Sequence, residues 1–282
     1  MLSYIHSFHA GNHADILKHV TLSLILEHLC KKEKPFTIID THAGSGIYDL
    51  NDERLLKTGE AENGISLFLK KISDAEKNGE FSEEIKILEP YLKIVRPYFE
   101  KSLYPGSPLI ENTFLRQSDV QILSELHPKT IEELKENART FKTQPQIHYR
   151  NGYELARAIT PPEIKRGLCV IDPSFEEKSD YETCGKLIAQ IHKKWPVGVI
   201  ALWYPLVSHR KMEISAMKET IACSAPDLDG KTLDLEMQVK NEEEMTGLAS
   251  LYGSGMFIIN PPYQLEEQMQ KVIPFIKKIL TE

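Results

Sequence analysis

The 282-residue sequence predicts an α/β fold, a doubly wound sheet of seven strands with helices on both faces. Three observations predict it. Apolar runs recur at 36–40, 120–125, 146–149, 167–172, 197–203, 232–239 and 254–260, and several lack any polar alternation, as in a parallel sheet with no wet face. Segments with helical spacing lie between them, notably at 130–141, 180–194, 208–222 and 264–280. The first run ends at Asp40 and enters Thr41-His42-Ala43-Gly44-Ser45-Gly46, a glycine turn at the mouth of a sheet. The last two runs are the candidates for an antiparallel pair.

Composition narrows the classes. Hydrophobic residues make up 41% of the chain, enough for a large core, and no apolar run nears the roughly 20 residues a bilayer span needs. The first residues show no basic-then-apolar export signal. Cys30, Cys169, Cys184 and Cys223 are far apart and form no CxxC, so neither a zinc knuckle nor a disulfide framework is expected, and a reduced, cytoplasmic setting fits. A net charge of −7, from 34 basic and 41 acidic residues, argues against a protein that coats nucleic acid with its whole surface, and any such site must be local.

One spacing departs from the pattern. In a dinucleotide-type fold the acid ending the second strand follows the glycine loop by roughly 20 residues. Here that acid is Glu125, a surplus of about 50 to 60 residues over the usual interval. The surplus is rich in Lys and Glu, has helical spacing at 62–72 and 81–99, and ends at Tyr104-Pro105-Gly106. It divides the chain into a main domain, 1–50 with 103–282, and an inserted helical subdomain at 51–102 on the ligand face. The insert is a lid or substrate grip in one reading and a solvated decoration in the other.

The glycine loop points to a nucleoside cofactor. Gly44 and Gly46 allow a sharp turn with a ligand lying on the backbone. The third glycine of the dinucleotide fingerprint is missing, with Asp49 at its place, which weakens a pyrophosphate ligand. S-adenosylmethionine has no phosphate, carries a sulfonium cation and tolerates the looser loop. A plain strand-to-helix turn is the alternative. Asp40 joins the loop in the cofactor set. Glu125 at the next strand end is placed to accept both ribose hydroxyls, and a polar side chain in His148-Tyr149-Arg150-Asn151-Gly152 is placed to meet the adenine amine of the cofactor. Ser107 before Pro108 reads as a helix N-cap with proline at the first helical position.

Two segments have the form that grips an exocyclic amine, Asp172-Pro173-Ser174-Phe175 and Asn260-Pro261-Pro262-Tyr263. An adenine amine is a poor nucleophile because its lone pair is delocalised into the ring. An acid or amide oxygen and a backbone carbonyl, each accepting one N–H, favour a pyramidal nitrogen and free that lone pair. Strand order separates the two. Asp172 ends the fourth strand, next to the first across the topological switch point, whereas Asn260 ends the seventh. The active group is therefore Asp172 with the Pro173 carbonyl, and Phe175 to stack on the base; Asn260 closes a strand-ending turn. Asp172 or solvent takes the proton. A base in such a site must be flipped out of its helix.

The segment 1–19 holds His6, His9, His13 and His19, four of the ten histidines. No cysteine accompanies them and the spacings match no zinc pattern, so no metal is expected. The plain reading is a helix capped by Asn12 with Leu17, Leu24 and Leu29 facing the core; another is a segment that closes over cofactor and substrate. From Tyr4 through His19 the run resembles the opening of the RlmJ family of 23S ribosomal RNA adenine N6-methyltransferases. The likeness continues through Asp40-Thr41-His42-Ala43-Gly44, Tyr104-Pro105-Gly106-Ser107-Pro108, Glu125-Leu126-His127-Pro128, Ala201-Leu202-Trp203-Tyr204-Pro205 and Asn260-Pro261-Pro262. It implies a Rossmann-like methyltransferase sheet with a helical insert, using S-adenosylmethionine, with ribosomal RNA as partner. It implies His19, His42, Ser107, Glu125, Asn151 and Gly152 on the cofactor, Asp172 at catalysis, and Tyr4, with Lys18 as a further contact, on the RNA. Neither metal nor membrane is expected, and the protein is read as a monomer. Two positions depart from the family: its Asp-Pro-Pro-Tyr is Asp172-Pro173-Ser174-Phe175 here, and its Asp-Gly is Asn151-Gly152. The competing readings are a non-catalytic RNA- or cofactor-binding protein with a decayed motif, and an amino-methyltransferase acting on another substrate.

Overall fold

The computed structural model describes residues 6–224, 228, 230–242 and 251–282. The order of its main sheet is what places a site. α1 (His13–Cys30) precedes β1 (Thr37–Asp40), and the short β2 (Ile47–Asp49) follows. Then come α2 (Glu53–Thr58), a π-turn at Glu62–Ser66, α3 (Leu67–Asn78) and α4 (Ser82–Phe99) before β3 (Leu103–Pro105), which pairs antiparallel with β2. The rest alternates: α5 (Ser107–Phe114), β4 (Val120–Glu125), α6 (Pro128–Ala138), β5 (Gln146–Tyr149), α7 (Gly152–Ile159), β6 (Gly167–Ile171), α8 (Lys178–Lys194), β7 (Val199–Val207) and α9 (Lys211–Ser224). β8 (Thr232–Gln238), β9 (Leu251–Ile259) and α10 (Leu265–Thr281) close the fold.

The seven-stranded sheet runs β5-β4-β1-β6-β7-β9-β8. β1 pairs in parallel with β4 on one side and β6 on the other, so the order reverses across β1 and β6. β9 is antiparallel to both β7 and β8, and lies between them. The strand patterns account for these places. β6, Gly-Leu-Cys-Val-Ile, is buried throughout and central; β8 alternates exposed and buried residues and is the edge.

Period-two alternation sorts each strand between two cores. Ile38, Leu168, Val170, Ala201 and Ile258 pack with α1, α4, α5 and α10 on one face. Ile39, Cys169, Ile171, Ile200 and Leu202 pack with α8 and α9 on the other. The helices between β2 and β3 contribute Phe68, Ile72, Leu88 and Leu92 to the first of these cores, continuous with α1 and α10. α1 is capped by Asn12, whose side chain accepts from the N–H groups of Ala14 and Asp15, and Leu17, Leu24 and Leu29 are buried as the sequence predicts. The helix is buried around nearly its whole circumference, Asp15, Lys18, His19, Thr21 and Ser23 included, because it has partners on every side. Among the described residues no helix is long and apolar enough to cross a membrane.

Candidate active site

The C-terminal ends of β1, β4, β5 and β6 bring the expected residues together. Gly44 and Gly46 take positive φ, +63° and +75°, and a Cβ on Gly44 would lie 2.3 Å from the Tyr48 hydroxyl. The Glu125 carboxylate ties this loop to β4: one oxygen accepts the Gly44 N–H at 2.9 Å and the other the His127 N–H at 2.7 Å. Asp40, fully buried, accepts the His42 N–H at 3.0 Å and the Ser107 hydroxyl at 2.7 Å. Ser107 is thus not the N-cap of α5. Gly106 holds that position, and the hydroxyl of Ser107 serves the buried carboxyl instead. Gly152 opens α7 directly against the Thr41 carbonyl, where a Cβ would come within 1.9 Å.

Asn151 caps α7, its side-chain oxygen accepting from the N–H groups of Tyr153 and Glu154. What it offers a ligand is therefore its NH2, a donor, rather than the acceptor expected from sequence. His42 bonds the Thr41 hydroxyl at 2.8 Å and meets the Tyr153 ring edge-on; burial pushes its pKa down to about 4, so the ring is neutral. His19 is buried too, its Nδ1 2.8 Å from the Tyr104 hydroxyl, which in turn meets the Tyr91 hydroxyl at 3.3 Å. Burial pushes the His19 pKa down to about 3, and its Nε2 has no hydrogen-bond partner among the described residues. A buried orphan nitrogen, a glycine cradle and several carboxyls form a donor set that suits a cationic nucleoside ligand.

Asp172 follows β6 and keeps its side chain 15% exposed. Its Oδ2 accepts from the Lys18 ammonium at 2.5 Å. Lys18, expected on RNA, is only 4% exposed and reaches back to Asp15 at 2.9 Å. Burial works against its charge, but the carboxylates of Asp15 and Asp172 outweigh it and hold the ammonium well above the usual lysine range. Ser174 is exposed. Phe175 is 6% exposed, its ring 4.7 Å from that of Tyr181 and 6.0 Å from that of Trp203, so the face expected to stack on a base is packed in the core. Tyr4 lies outside the described residues.

Sequence reasoning missed Asp15 and Glu111. Glu111 on α5 is fully buried; one oxygen accepts from Gln121 at 2.9 Å, and the carboxyl interacts with that of Asp40. Burial, then the nearby Asp40, raise its pKa well above the usual carboxylate range, and burial pushes Asp40 up to about 6. A carboxyl whose folded pKa is raised costs stability progressively as pH climbs from its unfolded value towards the folded one. Glu111→Gln removes that cost. The variant is expected to melt a few degrees higher than the parent at pH 8, with the gain shrinking by pH 5; a gain that grows on acidification contradicts the assignment.

Asn260 behaves as the strand-ending turn expected of it. Its φ is +54°, and its NH2 donates to the carbonyls of Pro196 and Gly198 at 2.9 and 2.8 Å. Asn260→Ala is expected to lower stability by about 1–2 kcal/mol, read from denaturant melts, while leaving turnover at the parent rate.

The switch-point crevice, the glycine loop on β1 and the acid after β6 define a Rossmann-type methyltransferase. The chain belongs to the family described as "RsmJ: Ribosomal RNA large subunit methyltransferase D, RlmJ", whose model matches residues 33–282. It is 38% identical over 284 residues, 98% of this chain and 93% of the relative, to Ribosomal RNA large subunit methyltransferase J of Escherichia coli (strain K12). It is 39% identical over 280 residues, 99% of this chain and 94% of the relative, to the protein of the same name in Haemophilus influenzae. The solved structure of protein LPL1258 from Legionella pneumophila superposes with a TM-score of 0.82 at 28% identity, covering 97% of this chain and 94% of that one.

Proposed function

We propose that the protein methylates the N6 amine of an adenine in 23S ribosomal RNA, with S-adenosylmethionine as methyl donor. The observation that carries the reading is the place of Asp172. It stands at the end of β6, beside the glycine loop of β1, with one oxygen fixed by Lys18 and the other making no hydrogen bond among the described residues. That free oxygen and the Pro173 carbonyl are the two acceptors an exocyclic amine needs.

The bound cofactor supplies an electrophilic methyl group. Gly44, Gly46, Glu125, Asp40, His42, Ser107, Asn151, Gly152 and the orphan Nε2 of His19 are the groups that would hold it. Asp172 accepts one N–H of the amine, localises the nitrogen lone pair and directs it at that methyl; the proton leaves to Asp172 or to solvent. Stacking by Phe175 requires its ring to leave the slot between Tyr181 and Trp203. Its φ of +52° makes this the strained part of the motif, as does the unpartnered indole N–H of Trp203 beside it. Ser174 is exposed and leaves the Asp172–Lys18 contact intact, which supports a working motif over a decayed, binding-only one. Tyr4 as an RNA contact and the helices between β2 and β3 as a substrate grip belong to the same reading.

The direct test offers the purified protein 23S RNA from a strain lacking the enzyme, with isotope-labelled cofactor, and digests the product to nucleosides. Label in N6-methyladenosine is expected. Label in another nucleoside, or none with intact cofactor binding, defeats the reading.

A further inference from the structure

Asp15 is 2% exposed in the first turn of α1, and both oxygens of its carboxylate are paired. Its Oδ1 takes the Lys18 ammonium at 2.9 Å. Its Oδ2 takes the Gly11 N–H at 2.8 Å and the His6 Nε2 at 3.0 Å. The same Lys18 ammonium lies 2.5 Å from Asp172 Oδ2, so a continuous line of polar contacts runs from His6 through Asp15 and Lys18 to Asp172. A buried carboxylate is costly unless paired and hydrogen-bonded on both oxygens. A carboxylate that only balanced Lys18 would need one oxygen, and that cation already has Asp172. The second oxygen is spent on the backbone and side chain of residues 6–11, which pass beside the site.

We propose that Asp15 is a positioning residue for methyl transfer. It holds the Lys18 ammonium against one oxygen of Asp172, leaving the other for the amine, and it fixes the N-terminal segment to the same point. The inference rests on Asp172 being the acceptor for the adenine amine. A flexible four-carbon side chain with one acceptor can swing with it; with two acceptors from different elements it has one position. The Lys18 ammonium then sets the rotamer of Asp172, and with it the direction of the amine lone pair. Misplacing a reacting group by an ångström costs on the order of 100-fold in rate.

The test is Asp15→Asn, which keeps shape but turns an NH2 or a neutral oxygen towards Lys18. Turnover is expected to fall on the order of 10- to 100-fold, with the KM for RNA and the Kd for cofactor unchanged within about threefold. Asp15→Glu keeps the charge and is expected to recover part of the loss, and it carries the same comparison if the Asn variant does not yield folded protein. Turnover of Asp15→Asn within twofold of the parent overturns the proposal. So does a loss matched by an equal loss of cofactor affinity, since Asp15 would then be holding the pocket rather than the reactive pair. Asp172→Ala in the same assay separates the two readings: an active Asp172→Ala removes the amine acceptor itself, whereas an inactive one beside a fully active Asp15→Asn removes only the role of Asp15.

Discussion

Asp172→Ala is expected to lower methyl transfer by on the order of 10³-fold or more while binding cofactor within about tenfold of the parent. The rate falls because alanine removes the acceptor that localises the nitrogen lone pair, and no second carboxylate is placed to replace it. Asp15 is held back by Gly11, His6 and Lys18, and Asp40 by Ser107 and His42. The fold is expected to survive the change. Removing one partner of a buried ion pair is usually severe, but here Lys18 keeps Asp15 at 2.9 Å and is not stranded. Asp172→Asn retains one acceptor oxygen and is expected to fall between the two. Single-turnover rates with calorimetric cofactor affinities make the measurement; an Ala variant with parental turnover would falsify the mechanism.

The second large effect is expected at Gly152→Ala. The added methyl would sit 1.9 Å from the Thr41 carbonyl oxygen and 2.7 Å from its carbon, and neither is the yielding end of a side chain. α7 must move away from the loop after β1, carrying Asn151 and Tyr153, against whose ring His42 packs. The expected cost is about 3 kcal/mol of stability and on the order of 100-fold in cofactor affinity. Gly79→Ala is the control. Unlike Gly152 it has a positive φ, +70°, but nothing lies within 4 Å of the new methyl, so about 1 kcal/mol and no change in affinity are expected. Equal effects at the two glycines would show that α7 takes no part in the cofactor pocket.

Much of this was legible because it is local or periodic. Uniformly apolar runs marked the inner strands, Asn12 announced its cap, and counting strand ends placed Asp172 rather than Asn260 at the switch point. The place of β9 between β7 and β8 was readable in principle, since β8 alternates and β9 is buried along nearly its whole length, but the antiparallel pair was left without an order. What stayed hidden was held by distant partners. Lys18 looks like a surface cation beside histidines; only the fold brings it to Asp172, 154 residues away. Asp15 had a weak local signal, an acid three residues before a lysine on one helix, which is usually a solvated pair. The packing of the Phe175 ring stays hidden too, because an aromatic after Asp-Pro-Ser carries no mark of whether its ring faces ligand or core.

The near-complete burial of α1 has a consequence for how the protein is made. Its neighbours are α4 and α5 from the middle of the chain, and β9 and α10 from its far end. α1 leaves the ribosome before all of them but finds its last two walls only when residues 251–282 have been synthesised. Until then it presents its apolar residues with Lys18 and Asp15 unsheltered, so the nascent chain should engage a holding chaperone through residues 13–30 and gain protease resistance late, in one step, on release.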